Sequence, residues 1–345
     1  MTILEKAPYG VIGSITPSTN PSETILCNGI GMIAGGNAVT FNAHPSAKKT
    51  SVFTINLMNQ AIISEGGPPN LLTTVASPTI QTAQVLMKHP KIGLLVVTGG
   101  PAVVATAMKS GKRVVGAGPG NPPVVVNETA DFDKAARDIV TSASTDNNII
   151  CVIEKEIIAT KKAADPLKKA LLRNGAFELN SHQARRLEKI VIAEDGKGPN
   201  KNWVGKDVQL ILKQIGIDVD PSMRLAITET GPDHPFARLE LLMPVLPFIR
   251  VDTIDQAIDL AYKLEDGCFH TASIHSAIID HLHRMAIKMN TSIFVKNGPA
   301  LAGLGLEGEG PISFTIASPT GEGVTTARHF TRIRRCVVSG YFRIV

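Results

Sequence analysis

The stretch Thr145-Asp-Asn-Asn-Ile-Ile-Cys-Val-Ile-Glu-Lys-Glu156 puts a single cysteine inside an apolar run, straight after two asparagines. Cys151 has two local readings. It is a small buried hydrophobe, as free cysteines commonly are, or a nucleophile presented at the mouth of a site. The second chemistry needs donors for a developing oxyanion and a group able to move a proton. Asn20, in Ser18-Thr-Asn-Pro-Ser-Glu23, has the required amide. The same residues also read as a helix start, with Asn20 as N-cap, Pro21 at the first position and Glu23 at the third. His270, in Cys268-Phe-His-Thr-Ala-Ser-Ile-His-Ser276, falls where a helical pattern gives way to an extended one, and acts either on a proton or only as a structural hydrogen-bonding group. His234, in Asp-His-Pro-Phe, reads as a loop residue, and Cys27 and Cys268 as core thiols.

A second kind of chemistry is written in Val96-Val-Thr-Gly-Gly-Pro-Ala-Val-Val-Ala-Thr-Ala-Met108, a strand, two glycines, a proline and a helix. Bare N–H groups at a helix start attract phosphate, and glycine lets a pyrophosphate come close. The alternative is an ordinary strand-to-helix turn, because neither this stretch nor Gly116-Ala-Gly-Pro-Gly120 has a standard phosphate-loop spacing.

The elements that must position these residues follow from periodicity. Short β-branched runs at 10–17, 37–43, 71–77, 93–100, 112–118 and 123–127 alternate with helical patterns, which predicts a doubly wound, mostly parallel sheet with ligands beyond the carboxyl ends of its strands. A strand is expected over 149–159, further α/β structure from Met223, and an amphipathic helix over 253–267 with Thr253 and Gln256 as its capping box. A domain boundary is expected near residue 146. The terminal His329-Phe-Thr-Arg-Ile-Arg-Arg-Cys-Val-Val segment reads as a basic strand that needs a sheet to join, on this or another subunit.

Composition narrows the class. Hydrophobic residues make up 43%, charged 19% and aromatic 4%, and the net charge is +5. No apolar run has the length of a membrane span, and Met1-Thr-Ile-Leu-Glu-Lys-Ala-Pro-Tyr-Gly lacks a secretory h-region. Basic pairs are scattered without interleaved aromatics, which speaks against nucleic acid and for a phosphorylated small molecule. Four cysteines stand singly with no metal-binding spacing, the usage of a reducing cytoplasm.

The ordered set GVIGSITPSTNPSETI, GNAVTFNAHPSAK, VVTGGPAVVATAM, DNNIICVIEKE and LELLMPVLPFIRVDTIDQAI resembles the aldehyde dehydrogenase superfamily, and within it the CoA-acylating propionaldehyde and acetaldehyde dehydrogenases of bacterial microcompartments. The resemblance implies a Rossmann-type doubly wound sheet (10–146), an α/β catalytic domain (147–325) and a short β oligomerisation element built from 1–9 and 326–345. It gives Cys151 the role of catalytic thiol and Asn20 that of oxyanion donor, alongside the Cys151 N–H. His270 would activate the CoA thiol or a bound hydroxyl. Thr98, Gly99, Gly100 and Val103 match the dinucleotide-phosphate turn. Thr16, Pro17, Gly116 and Ala117 fall in the same cofactor region, and Asn42, His44 and Pro45 lie where relatives hold the adenosine ribose. Glu240 matches the glutamate on the nicotinamide ribose.

Gly116 stands where hydrolytic relatives carry a general-base glutamate. A thiol is a better nucleophile than water at neutral pH, so loss of that base favours acyl transfer to CoA. The resemblance therefore implies NAD and CoA, a short-chain aldehyde, no metal, and a homo-oligomer (dimer or tetramer). It also implies a cytoplasmic location, in the microcompartment lumen if shell or cargo proteins are partners. Relatives have a further N-terminal segment ahead of the residues matching Met1. The rival readings are an acyl-phosphate semialdehyde reductase and a non-catalytic, truncated oligomerisation or cargo module.

Overall fold

Strands that are apolar on consecutive residues need cover on both faces, and the computed structural model, which describes residues 1–340, supplies it twice. In chain order the elements are β1 (Thr2–Pro8), β2 (Val11–Ile15), α1 (Pro21–Ala34), β3 (Ala38–Asn42), α2 (Lys48–Ser64), β4 (Leu72–Thr74), α3 (Ile80–Lys88), β5 (Ile92–Thr98), α4 (Pro101–Met108) and β6 (Val114–Ala117). Next come β7 (Pro123–Val126), α5 (Phe132–Ser144), β8 (Glu156–Thr160), α6 (Lys161–Arg173), β9 (Ala176–Leu179), α7 (Ser181–Val191), α8 (Val208–Lys213) and β10 (Leu225–Glu229). The chain continues through α9 (Pro235–Arg238), β11 (Val245–Val251), α10 (Ile254–Glu265), β12 (Thr271–His275), α11 (Ile279–Met289) and β13 (Ile293–Lys296). It closes with β14 (Ile316–Ala317), β15 (Gly323–Val324) and β16 (Thr331–Val337).

These form two compact units, one from residues 1–118 with the chain from Pro311 onward, the other from 119–310. The first holds a five-stranded parallel sheet in the order β4-β3-β2-β5-β6. Side chains alternate across it: Leu94 and Val96 face α1 and α2, while Leu95 and Val97 face α3 and α4. The second unit holds a seven-stranded parallel sheet, β13-β12-β7-β8-β11-β10-β9. Val124 and Ile157 pack on α5 and α6, and Val125 and Ile158 on α10 and α11. The Thr253–Gln256 capping box at the start of α10 forms as expected.

The domain boundary is corrected. It lies between Gly118 and Pro119, not near 146, because β7 pairs with β8 and β12 rather than with β6. Residues 311–325 likewise return to the first unit instead of ending the catalytic one. The C-terminal strand finds its partner within the chain: β16 pairs antiparallel with β1, from Thr2 opposite Val337 to Pro8 opposite Thr331. Residues 341–345 of the expected C-terminal segment lie outside the described residues. No helix among the described residues is long and apolar enough to cross a membrane.

Asn37 ties the first unit together. Its buried Oδ1 accepts the N–H of Tyr9 (2.7 Å) and Gly10 (3.2 Å), and its Nδ2 donates to the carbonyls of Met32 (3.0 Å) and Phe330 (2.9 Å). Asn37→Ala strands these groups, at about 1–3 kcal/mol for each that stays buried and unpaired. The expected result is a clearly lower urea midpoint. An unchanged midpoint would mean that water replaces the four bonds.

Candidate active site

The loop that carries Cys151 is not a strand. Residues 145–148 form a short 3-10 turn, Cys151–Ile153 continue in turns, and β8 begins only at Glu156, so the expected strand over 149–159 is corrected. Asp146, Asn147 and Asn148 have φ of 48°, 51° and 64°, three successive residues in the left-handed region. Outside glycine, asparagine and aspartate enter that region most readily, which accounts for the Asp-Asn-Asn ahead of the cysteine. Asn147 Nδ2 donates to Gly205 O (3.1 Å) and Asp207 Oδ1 (2.8 Å). Buried Asn148 Nδ2 donates to Ala143 O (2.8 Å) and Glu154 O (3.0 Å), bracketing the nucleophile from both sides.

Four chemistry-bearing residues precede four adjacent strands. Gly120 lies before β7, Cys151 before β8, Glu240 before β11 and His270 before β12, and the sheet runs β12-β7-β8-β11. They therefore gather at the amino edge of this sheet. Gly120 is the crowded centre. A Cβ there would lie 2.8 Å from His270 Cγ and 3.0 Å from the Cys151 carbonyl oxygen, and the Gly120 N–H donates to the Glu240 carboxylate.

Burial keeps most of these groups neutral. Cys151 is partly exposed at its surface, yet burial, with Glu240 adding repulsion, pushes the thiol up to about 12. Burial raises Glu240 to about 7 against the pull of Lys155. His270 is held down to about 4, first by burial and then by Lys155, so its imidazole is neutral at physiological pH. Its Nδ1 lies 2.9 Å from Thr271 Oγ1, its main-chain N–H donates to Glu265 Oε1 at 2.7 Å, and its Nε2 has no partner in the protein. Glu154 and Glu156 are buried beside the loop, both raised by burial; Glu154 accepts the Ala300 N–H at 2.8 Å and Glu156 is bonded by Asn121 Nδ2. Cys27 and Cys268 are half-buried rather than core thiols, and burial raises both. His234 caps α9, accepting the Phe236 N–H.

In the first unit the candidates follow strand ends at the carboxyl edge. Asn20 occupies the N-cap position of α1 and is buried, but its side chain makes no capping bond; only its carbonyl does, accepting Thr24 N–H at 3.1 Å. Asn20 is thus the N-cap as expected, through its backbone alone, and the amide is free for another partner. Thr16 is buried with its hydroxyl unpaired, followed by Pro17. Asn42 Oδ1 accepts the Thr82 hydroxyl at 2.7 Å, while His44, exposed, pairs with Ser46 Oγ at 2.7 Å ahead of Pro45.

Thr98 is not free to meet a ligand with its hydroxyl, which lies 2.7 Å from Thr315 Oγ1; Thr315 also accepts from Asn28 Nδ2 at 3.0 Å. Gly99 backs onto Val103, whereas nothing lies within 4 Å of a Cβ built on Gly100, the N-cap of α4. Gly116 donates its N–H to Thr320 Oγ1 at 3.0 Å, and Ala117 ends β6 beside it. The returning segment therefore covers the position of the missing base. Thr315, Thr320, Gly120 and Lys155 escaped sequence reasoning; the run Gly118-Pro-Gly-Asn-Pro122 was the one available signal, for Gly120.

The chain comprises two doubly wound units, one with a cysteine loop and the other with a glycine-rich strand-to-helix turn. Residues 1–304 match the aldehyde dehydrogenase family, and the chain belongs to it. It is 53% identical to the acetaldehyde dehydrogenase (acetylating) EutE of Salmonella typhimurium, across all of this chain and 75% of that one. The propionaldehyde dehydrogenase of Rhodopseudomonas palustris, solved with bound CoA and an acylated cysteine, superposes with a TM-score of 0.95 at 50% identity, over 98% of this chain and 77% of that one. The propionaldehyde dehydrogenase of the Clostridium phytofermentans fucose utilisation bacterial microcompartment gives 0.97 at 47% identity, over 100% and 79%.

Gly120→Ala tests the crowding. The added methyl cannot fit without moving His270 or the Cys151 carbonyl, so kcat/KM is expected to fall more than about tenfold with the fold retained, a loss of near-attack geometry. Wild-type turnover in a folded Gly120→Ala protein would show that these three residues do not form one site.

Proposed function

We propose that the protein oxidises a short aliphatic aldehyde to its acyl-CoA, with NAD as hydride acceptor and CoA as acyl acceptor. The observation that carries the reading is the Cys151 loop, a left-handed turn pinned beside a neutral His270, in a chain whose base position is Gly116 covered by Thr320. The Cys151 thiol gives up its proton to solvent and the thiolate attacks the aldehyde carbon, and the oxyanion is met by the Cys151 N–H and, by resemblance, by the uncommitted amide of Asn20. Bound NAD supplies the hydride acceptor. The residues fit a dinucleotide: Gly100 is open in front of the α4 N-terminus, where bare N–H groups suit phosphate. Gly99, Val103, Thr16, Pro17 and Ala117 shape that region, Asn42, His44 and Pro45 would take the adenosine ribose, and Glu240 the nicotinamide ribose.

The acyl group then rests on Cys151 as a thioester. Water finds no carboxylate base at Gly116, so the thioester waits for a thiol. The neutral imidazole of His270, its Nε2 without a partner, would take the proton of the incoming CoA thiol, whose sulfur bonds the acyl carbon as the Cys151 sulfur leaves as thiolate. Propionaldehyde and acetaldehyde are the proposed substrates, after the similar proteins. Exposed Ile3, Leu4, Ile333 and Val337 on the β1–β16 ribbon support a homo-oligomer built on that ribbon. A microcompartment lumen is the proposed setting, with shell or cargo proteins as partners.

Mixing the enzyme with propionaldehyde and NAD but no CoA should give a burst of NADH near one per site, then a slow phase. CoA should restore fast turnover. Equal steady rates with and without CoA, yielding free propionate, would show that water is the natural acceptor.

A further inference from the structure

Lys155 is, among the described residues, the only lysine or arginine that is fully buried, at 3% exposed. Its ammonium donates to Asn148 O (2.8 Å), Asn148 Oδ1 (2.8 Å) and Ile150 O (3.0 Å). All three acceptors are neutral, and all belong to the loop that delivers Cys151. Among the described residues no carboxylate forms an ion pair with it, although Glu154 and Glu156 flank it; these turn to the Ala300 N–H and to Asn121. An unpaired buried cation is costly, and the α/β fold has no need of one here. The charged and titratable groups around it are Cys151, Glu240, Glu154 and Glu156, with His270 nearby.

We propose that Lys155 is the positioning residue of the nucleophile: its ammonium clamps the carbonyls of Asn148 and Ile150 and supplies the positive charge against which the Cys151 thiolate forms. The clamp has a geometric consequence. In a trans peptide the C=O and the following N–H point in opposite directions. Holding Ile150 C=O toward the ammonium therefore turns the Cys151 N–H away from it, fixing the direction of the oxyanion donor. The charge has an electrostatic consequence: the Cys151 N–H also favours a thiolate, but Lys155 is the cation that opposes the repulsion from Glu240. Of the groups acting on the thiol by charge, Lys155 favours ionisation and Glu240 opposes it. The inference rests on Cys151 being the nucleophile, and the test separates the two.

The experiment follows alkylation of Cys151 by iodoacetamide in the cofactor-free protein from pH 6 to 9.5, resolved by peptide mass spectrometry, with exposed Cys336 as the internal control. In Lys155→Met the Cys151 curve should move to higher pH, with the rate at pH 8 at least about tenfold lower, while Cys336 is unaffected. Lys155→Arg keeps the charge but not the three-point fit, so its curve should stay near the wild-type position while kcat falls. The unmodified protein supplies a readout that no folding defect can spoil. Burial lowers Lys155 itself to about 8, so the thiol and the amine titrate as a coupled pair. The Cys151 rate should rise about tenfold per pH unit below pH 8 and distinctly less above it. A uniform tenfold rise through pH 9.5, or an unmoved curve in folded Lys155→Met, would overturn the proposal. If Cys151→Ala retained full turnover, the nucleophile assignment would fall instead.

Discussion

Three consecutive left-handed residues are the constraint on which the rest of the candidate site depends. A chain of L-residues resists that conformation, and it persists only where the surroundings over-determine it. Here Asn147 is tied to Gly205 and Asp207, Asn148 to Ala143 and Glu154, and Lys155 reaches back to the same loop. The turn reverses the chain between α5 and β8 within a few residues and leaves the sulfur at the sheet edge. Strain and polarity are concentrated there because Cys151 must be fixed without being sealed inside.

The two units use opposite edges of their sheets. In the first, the candidates follow strands, where helix N-termini offer N–H groups to an anion. In the second, they precede strands, where β7, β8, β11 and β12 begin side by side and Gly120 lets three of them close up. The outcome is a set of groups held mostly uncharged. The thiol and the imidazole are neutral at physiological pH, and burial raises Glu240 to about 7.

Much of this was legible in the sequence. Alternating apolar runs marked the strands, Thr253 and Gln256 marked the start of α10, and Asp146-Asn-Asn marked a turn ahead of the cysteine. The errors share a physical cause. Pro123–Val126 has the same local pattern as the five strands of the first sheet, and only its pairing with β8 and β12 assigns it to the second. Ile149–Ile153 looked like a strand because it is apolar; its burial comes from packing a turn. Thr315 and Thr320 act through partners far away in the sequence, and Lys155 through neighbouring loop carbonyls that carry no side-chain signature, so no period or spacing announces them.

The order of the units along the chain bears on how the molecule is made. The second unit is one continuous segment, whereas the first is completed only when β14, β15 and β16 arrive from the far side of it. During synthesis the α1 face of the first sheet waits for Phe330 and for the Asn37 bonds that close over it, with Ile25, Met32 and Phe41 still uncovered. Folding of the inserted unit shortens the effective gap between the two pieces and so lowers the entropy cost of joining them. The ribosome thus releases a half-finished nucleotide fold that its own later domain helps to close.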